Sequence, residues 1–233
     1  LRVLSARGGE LEREFAFGVV RQLFEPVVIG PSGGGAAFDG AAAPARAVFD
    51  AAHAGTDEDA SFAVLHGLYW LTVNVSADRP VLLAVDDLHW ADHPSLRFVA
   101  YLARRLEGLP VVVACGLRSS EPGVDAALLR GLATEPVAAT LRPAALGEGS
   151  IAELVRARLG PPADAAFVTA CRTATGGNPL LLDELLKVLA ADGVGSGAAE
   201  AARIDELGPR AAARAVLVRL ARLPDAAAAL ARA

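Results

Sequence analysis

The sequence has little positive charge, few sulfur-containing residues and no long apolar run. Asp and Glu outnumber Lys and Arg by 27 to 22, and a net charge of −5 argues against the broadly basic surface of a nucleic-acid-binding domain. Methionine is absent, and the two cysteines, Cys115 and Cys171, lack metal-ligand spacing, which indicates buried or free thiols in a reducing compartment. No apolar stretch reaches the roughly 20 residues of a membrane-spanning helix, and no signal peptide is recognisable. We therefore expect a cytoplasmic location and no membrane partner.

The composition is that of a folded protein. Hydrophobic residues make up 53% of the 233 residues, and the mean hydropathy is +0.39. This argues against general disorder and allows one large domain, or one domain and a smaller one. The chain begins at Leu1 without an initiator methionine and ends at Ala233 in an alanine-rich helical pattern, which predicts a piece of a longer protein.

Strand-like and helical patterns alternate in the first part of the sequence. Apolar runs predict strands at 1–6, 81–85 and 111–117, and the pattern at 137–141 allows another; helical periodicity covers 10–24 and 61–75. This alternation predicts an α/β domain with a parallel sheet, whose strand at 81–85 is buried on both faces. From residue 147 onward only helices are predicted.

The segment VLLAVDDLHWAD, residues 81–92, carries the strongest chemical signal. A buried parallel strand delivers its last side chains to the carboxyl edge of the sheet, where α/β folds bind ligands. Two adjacent carboxylates there suit a Walker B arrangement, with Asp86 serving Mg²⁺ and Asp87 orienting the attacking water. The structural alternative is that both acids simply end the strand. Asp92 is the expected N-cap of the next helix, with Pro94 in its first turn.

Three further segments contribute to one resemblance together with this one, namely ELEREFAFGVVRQLFEP (10–26), GLRSSEP (116–122) and TGGNPLLLDELL (175–186). Together they resemble the ATPase region of the large ATP-binding regulators of the LuxR type, within the STAND class of signal-transduction ATPases. The resemblance implies a P-loop NTPase-type three-layer sandwich that lacks its first strand, followed by an α-helical lid. The implied domains are a partial P-loop NTPase core with Walker B at 1–145 and a helical lid at 146–193. A linker at 194–209 and the start of a further helical or winged-helix domain at 210–233 follow.

The resemblance also implies roles for individual residues. Arg118 matches the family's sensor arginine, which reads the γ-phosphate from a strand end. Gly177, Asn178 and Pro179 match the lid motif that contacts the nucleotide. The structural alternatives are a surface arginine for Arg118 and ordinary helix initiation for Asn178-Pro179.

One family motif is absent from these 233 residues. A phosphate-binding loop requires G-x-x-x-x-G-K-[ST], but the single lysine, Lys187, follows no such glycine loop. We expect this segment alone to be inactive as an ATPase. The family's first strand would also lie beside the strand at 137–141, so its absence is expected to expose strand edges.

For the complete protein the resemblance implies an ATP-binding switch with Mg²⁺ and slow hydrolysis. Its implied partners are ATP and ADP, an inducer ligand or protein acting on a distal sensor region, and DNA, bound only by a helix-turn-helix domain that this sequence lacks. ATP-dependent self-association is a further implied property. The alternatives are an inactive interaction scaffold and a nucleotide switch with another output domain, such as a kinase or cyclase.

Two weaker patterns favour structural interpretations. The segment 30–34, GPSGG, matches a nucleophile elbow, but the small residues that follow it indicate a loop. His89 and His93 have the spacing of helical metal ligands, but Pro94 interrupts a helix across them and the glutamate of H-E-x-x-H is missing. We expect these histidines to be polar residues of a strand-to-helix turn.

Overall fold

The computed structural model describes residues 1–29, 35–50, 62–118 and 125–204. The chain forms two compact units, Leu1–Thr140 and Leu141–Ala233. The division lies close to the boundary predicted after residue 145. Among the described residues, no helix combines the length and apolar character needed to cross a bilayer.

Unit 1 contains the strands. Its described part holds the strands and α-helices β1 (Arg2–Arg7), α1 (Gly18–Val28), α2 (Arg46–Phe49), α3 (Phe62–Ser76), β2 (Val81–Asp86), α4 (His93–Ala103), β3 (Val111–Cys115) and α5 (Ala126–Ala133). Short 3₁₀ helices occupy Glu10–Glu12, Ala36–Phe38, Gly40–Ala45 and Leu88–Trp90. The described part of unit 2 holds α6 (Glu148–Leu159), α7 (Ala165–Thr175), α8 (Pro179–Ala191) and a 3₁₀ turn at Ala198–Glu200.

The three strands of the described ranges form one parallel sheet in the order β1-β2-β3. Parallel pairing places Arg7 opposite Asp86 and Val85 opposite Cys115, so all three strands end at the same edge. The predicted α/β class and parallel sheet are therefore confirmed. The strand suggested at 137–141 does not form: Val137 is 55% and Leu141 87% exposed, and no described strand pairs with this segment.

Among the described residues of unit 1, side chains on only one face of this sheet are well buried. Leu4, Leu83 and Val85 are at most 6% exposed, whereas Val3 and Val112 on the opposite face are 57% and 61% exposed. A parallel sheet in a three-layer domain carries helices on both faces. Leu82 and Ala84 of β2, on the same face as Val3 and Val112, are only half-buried. The expectation that β2 is fully buried on both faces, as in a three-layer domain, is thus wrong for the described part of unit 1. The apolar run showed that β2 suits a core, but it could not show what covers each face.

Helices α1, α3 and α4 form the layer on the covered face. The rings of Phe24 in α1 and Phe98 in α4 pack edge to face, with their centroids 6.0 Å apart. Leu68 and Leu71 of α3 are fully buried in the same core. Burial of each such side chain contributes about 1.5–3 kcal/mol. This core fixes the orientation of the sheet beneath the helices and therefore the position of its carboxyl edge.

Helix α1 begins later than the periodicity predicted. The sequence indicated a helix from residue 10, but Glu10–Glu12 form a separate 3₁₀ turn and α1 begins at Gly18. Phe17, just before it, has a φ of 61° in the left-handed region, which the right-handed helix cannot include. Helix α3 matches the predicted span, and Ser61 lies outside the described residues.

The helices of unit 2 enclose a separate apolar core. It includes Ile151, Phe167, Cys171, Leu182 and Leu185, each fully buried. Burial raises the pKa of the Cys171 thiol to about 12, so this cysteine is an inert core residue.

The segment predicted as a linker, 194–209, packs onto unit 2 over its described part. Val194 is 4% exposed and Ile204 is fully buried. The Ser196 hydroxyl donates to the carbonyl of Gly160 at 2.8 Å and accepts from the amide of Ala163 at 3.0 Å. The small residues of this segment resemble a linker in composition, but these long-range contacts make it part of the core. Residues 205–209 and the predicted further domain at 210–233 lie outside the described part.

Candidate functional site

The candidate site lies at the carboxyl edge of the sheet, where three strand ends meet. Arg7 ends β1, Asp86 ends β2 and Gly116 follows β3. The amide of Gly8 donates to the carbonyl of Asp86 at 2.9 Å, and the amide of Leu88 donates to that of Gly116 at 2.8 Å. These bonds continue the sheet by one residue on either side of β2, so side chains from all three strand ends are held in fixed register.

Asp86 presents an accessible carboxylate at this edge. Its side chain is 66% exposed, and its Oδ2 lies 3.8 Å from Arg7 Nε. Its Oδ1 accepts the amide of Asp87 at 3.0 Å. A Cβ atom at Gly116 would lie 2.9 Å from this Oδ1, so the absence of a side chain directly after β3 makes room for the carboxylate.

Asp87, in contrast, is buried and ion-paired. The residue is 5% exposed, and its backbone has left-handed angles of φ 50° and ψ 42°, which aspartate tolerates better than most residues. Arg7 donates to Oδ2 from Nε at 3.0 Å and from Nη2 at 2.7 Å. Hydrogen bonding to Asp87, with its negative charge, raises the pKa of Arg7 above its already high value. The positive charge of the guanidinium thus offsets the cost of burying the negatively charged carboxylate of Asp87.

The second oxygen of Asp87 faces two other groups. Arg118 Nε lies 3.8 Å from Oδ1, and His89 Nε2 lies 4.0 Å from it. The amide of Arg118 donates to His89 Nδ1 at 3.3 Å, which leaves the ring proton on Nε2, the side that faces Asp87. The Arg118 guanidinium also lies 5.5 Å from the centre of the Trp90 ring, within cation–π range.

Asp92 holds the loop after β2 in place. As predicted, it is the N-cap of α4: its Oδ1 accepts the amide of Ser95 at 2.8 Å. The same carboxylate also accepts the amides of Phe17 at 2.8 Å and Val19 at 3.3 Å, at the beginning of α1. One buried acid therefore binds the N-termini of two helices, where the helix dipoles favour negative charge.

The structure brings some of the predicted site residues together and places others in unit 2. Asp86, Asp87 and Arg118 share one edge of the sheet in unit 1. Gly177, Asn178 and Pro179 belong to unit 2.

The geometry of the Gly177–Pro179 segment is explained by helix termini. Gly177 has a φ of +70°, and a Cβ atom there would lie 2.6 Å from the carbonyl oxygen of Leu146. The Asn178 side chain accepts the amides of Leu180 at 2.9 Å and Leu181 at 3.4 Å, so it caps α8, with Pro179 in the first turn. The contact with a nucleotide stays a prediction.

The other patterns do not assemble into sites. His89 is fully buried beside Asp87, whereas the ring of His93 faces Asp125 at 3.6 Å, so the two histidines have different partners. In the described ranges, no group of three or more His, Cys, Asp or Glu side chains could hold a metal ion. The GPSGG segment, 30–34, lies outside the described residues.

Sequence reasoning missed Arg7 and the contact between His89 and Asp87. The contact between Arg7 and Asp87 joins residues 80 positions apart, so no local pattern could reveal it. One signal was present: an arginine that directly follows a predicted strand lies at the same edge as acids that follow the neighbouring parallel strand.

The comparisons with known proteins do not assign this arrangement. No protein-family model matches the chain, and neither a curated protein nor a solved structure matches it significantly.

Proposed function

We propose that this chain belongs to the ATP-binding and ATP-hydrolysing switch module of a LuxR-type transcriptional regulator. One observation carries the proposal: Asp86 and Asp87 follow one another at the carboxyl end of the central parallel strand, and Arg118, three residues after the end of β3, lies 3.8 Å from Asp87. Such sheet edges are where α/β proteins bind nucleotides. The resemblance of the four sequence segments supports the family assignment.

The carboxylate of Asp86 suits a magnesium ion. Mg²⁺ prefers oxygen ligands, keeps several waters and uses only one or two protein carboxylates beside substrate phosphates. Asp86 offers an exposed carboxylate at the edge, with space provided by Gly116. When bound with ATP, the ion would neutralise charge on the phosphate oxygens. Asp86 would hold it through Oδ2 or an intervening water.

Asp87 would orient the water that attacks the γ-phosphate. Its Oδ2 is bound by Arg7, so a proton would be accepted at Oδ1, the oxygen near Arg118 and His89. Because the Asp87 side chain is buried, few bulk water molecules would compete with the attacking water for its carboxylate. Arg118, whose charged fork suits phosphate oxygens, would distinguish ATP from ADP.

The remaining parts of the proposal come from the resemblance. Gly177, Asn178 and Pro179 would contact the nucleotide as a lid, a phosphate-binding loop would be supplied by another part of the complete protein, and DNA would bind to a helix-turn-helix domain. The inducer would change the nucleotide state through a sensor region, and ATP-dependent self-association would accompany it.

A second candidate function is an inactive interaction scaffold of the same class. The observation that favours it is the pairing of Asp87 with Arg7, since a buried ion pair explains an aspartate at this position without catalysis. The presence of G-x-x-x-x-G-K-[ST] in the complete protein would favour the enzyme, and its absence would favour the scaffold.

The direct test of hydrolysis is Asp87→Asn in the complete protein. Asparagine keeps the size and tolerates the left-handed backbone, so the change removes mainly the charge. Because a general base contributes about 10²- to 10⁴-fold, we expect turnover of Mg-ATP to fall by about 100-fold or more while ATP affinity is retained. Asp78→Asn, at an exposed position before β2, is the matched control. Unchanged turnover in Asp87→Asn would exclude the catalytic role.

The sensor role is tested by Arg118→Ala. Loss of a charged donor near the γ-phosphate should reduce the preference for ATP over ADP by on the order of tenfold. Calorimetric titration of both nucleotides measures this ratio. An equal ratio in the wild type and the variant would show that Arg118 does not read the γ-phosphate.

A further inference from the structure

Arg7 is held at the edge of the sheet more firmly than an ordinary surface arginine. Its amide donates to Gln22 Oε1 at 2.9 Å, and its carbonyl accepts from Gln22 Nε2 at 3.2 Å. One amide side chain on α1 therefore binds both backbone polar groups of Arg7. On its other side, the amide of Gly8 donates to the carbonyl of Asp86. The backbone from which the guanidinium extends is thus fixed relative to β2.

A glycine after Arg7 is needed for this close approach. A Cβ atom on Gly8 would collide with the carbonyl oxygen of Asp87 and would lie 2.9 Å from the amide nitrogen of Ala91. The chain after β1 therefore crosses directly against the loop that carries Asp87. This crossing brings Arg7 within reach of the buried carboxylate.

The guanidinium binds only one of the two carboxylate oxygens. Nε and Nη2 of Arg7 both donate to Oδ2 of Asp87, at 3.0 and 2.7 Å. Two donors on one oxygen restrict rotation of the carboxylate and leave Oδ1 facing Arg118 and His89. The Arg7 side chain is 58% and the Asp87 side chain 7% exposed, so the arginine approaches from the solvent side.

We propose that Arg7 is a positioning residue for hydrolysis: by binding Oδ2 of Asp87 it selects Oδ1 as the atom that takes the proton from the attacking water. This inference rests on the proposed function. The water oxygen bonds to the γ-phosphorus, and the bond from that phosphorus to the β,γ-bridging oxygen breaks, its electron pair leaving with ADP. The proton held on Oδ1 then returns to solvent, or to the released phosphate.

The test compares Arg7→Gln, Arg7→Lys and Arg2→Gln in the complete protein, with Mg-ATP as the substrate. Displacing a catalytic group by about 1 Å can cost about 100-fold, so Arg7→Gln should lower kcat by about 10- to 100-fold. KM and the Kd for ATP should change by less than about twofold, because Arg7 acts on the water and not on nucleotide binding. Arg7→Lys, which restores the charge and one donor, should recover part of kcat.

Arg2→Gln is the matched control for a structural effect. Arg2 lies at the other end of β1 and donates to the carbonyl of Val75 at 3.1 Å, so the control also removes an arginine hydrogen bond from this strand. Its kcat should equal that of the wild type. Thermal unfolding of each variant shows whether lost activity follows lost stability.

The outcomes separate this inference from the proposed function. A wild type without ATP hydrolysis overturns both. An active wild type with an equally active Arg7→Gln variant overturns only the role of Arg7, as does a loss of kcat that Arg2→Gln reproduces. If Arg7→Gln does not fold, Arg7→Lys decides: a reduced kcat with unchanged ATP affinity supports positioning, and a wild-type kcat refutes it.

Discussion

Asp92 offers the sharpest prediction about stability, because one side chain serves two helices. It is 2% exposed and accepts three backbone amides, those of Ser95 at α4 and of Phe17 and Val19 at α1. Asp92→Ala would leave all three without this acceptor. Water has little access to two of them, since Val19 is 3% exposed and Ser95 is fully buried.

The expected loss follows from these bonds. Removing an N-cap costs about 0.5–2 kcal/mol, and each further buried donor left unsatisfied costs about 1–3 kcal/mol. Because Phe17 is only half-buried and water can replace part of its bond, we expect Asp92→Ala to lower the free energy of unfolding by about 3–5 kcal/mol. That is a large share of the roughly 5–15 kcal/mol of a typical domain.

Asp92→Asn separates the hydrogen bonds from the charge. If the amide oxygen takes the place of Oδ1, it retains the two bonds of 2.8 Å, whereas the amide nitrogen cannot accept from Val19. The expected loss is about 1–2 kcal/mol. Urea unfolding followed by tryptophan fluorescence measures both variants, and both tryptophans, Trp70 and Trp90, lie in unit 1.

With a urea m-value of about 2 kcal/mol per molar, Asp92→Ala should move the midpoint down by about 1.5–2.5 M. Asp78→Ala, at an exposed position, should leave it nearly unchanged. A loss below about 1 kcal/mol in Asp92→Ala, or equal losses in Asp92→Ala and Asp92→Asn, would refute this hydrogen-bond account of the two helix ends.

Two further predictions concern unit 2. In thermal unfolding, Gly177→Ala should destabilise unit 2 more than Gly176→Ala does. Both glycines have positive φ, but of these two only Gly177 would place a Cβ atom 2.6 Å from a backbone oxygen, that of Leu146. Equal losses of stability in the two variants would exclude this clash. The hydrogen bond from Lys187 lowers the pKa of Asp183, so their stabilisation is present above the ordinary value of 3.8 and is lost as pH falls through the folded value. In a carboxyl NMR titration, Lys187→Gln should raise the pKa of Asp183 only part of the way back to its ordinary value, because Arg158 remains 2.9 Å from the carboxylate. An unchanged pKa would show that Lys187 is not the cause of the shift.

Local patterns predicted those elements whose formation depends on nearby residues. The apolar run before Asp86-Asp87 gave β2, and Asp92 followed by Pro94 gave the N-terminus of α4. Asn178 likewise caps α8 as expected. In each case the periodicity or the capping hydrogen bond lies within a few residues, where sequence is most informative.

Contacts between distant residues account for what the sequence did not predict. Phe17 ends the irregular approach to α1 because Asp92, 75 positions later, binds its amide. The segment predicted as a linker packs onto unit 2 because Ser196 forms hydrogen bonds with Gly160 and Ala163. The apolar run at 137–141 has strand propensity, but a strand also requires a hydrogen-bonded neighbour, which no described strand provides.

The two neighbouring acids differ in how much of their geometry packing alone explains. Asp87 is buried and needs a positive partner, and Arg7 provides one, so its position has a sufficient structural cause. Asp86 makes one local bond through Oδ1 and keeps Oδ2 at the solvent edge, where no burial requirement demands a carboxylate. Packing therefore explains the position of Asp87 but not the exposed carboxylate of Asp86, and the kcat of Arg7→Gln shows whether Arg7 also orients Asp87 for hydrolysis or only neutralises its charge.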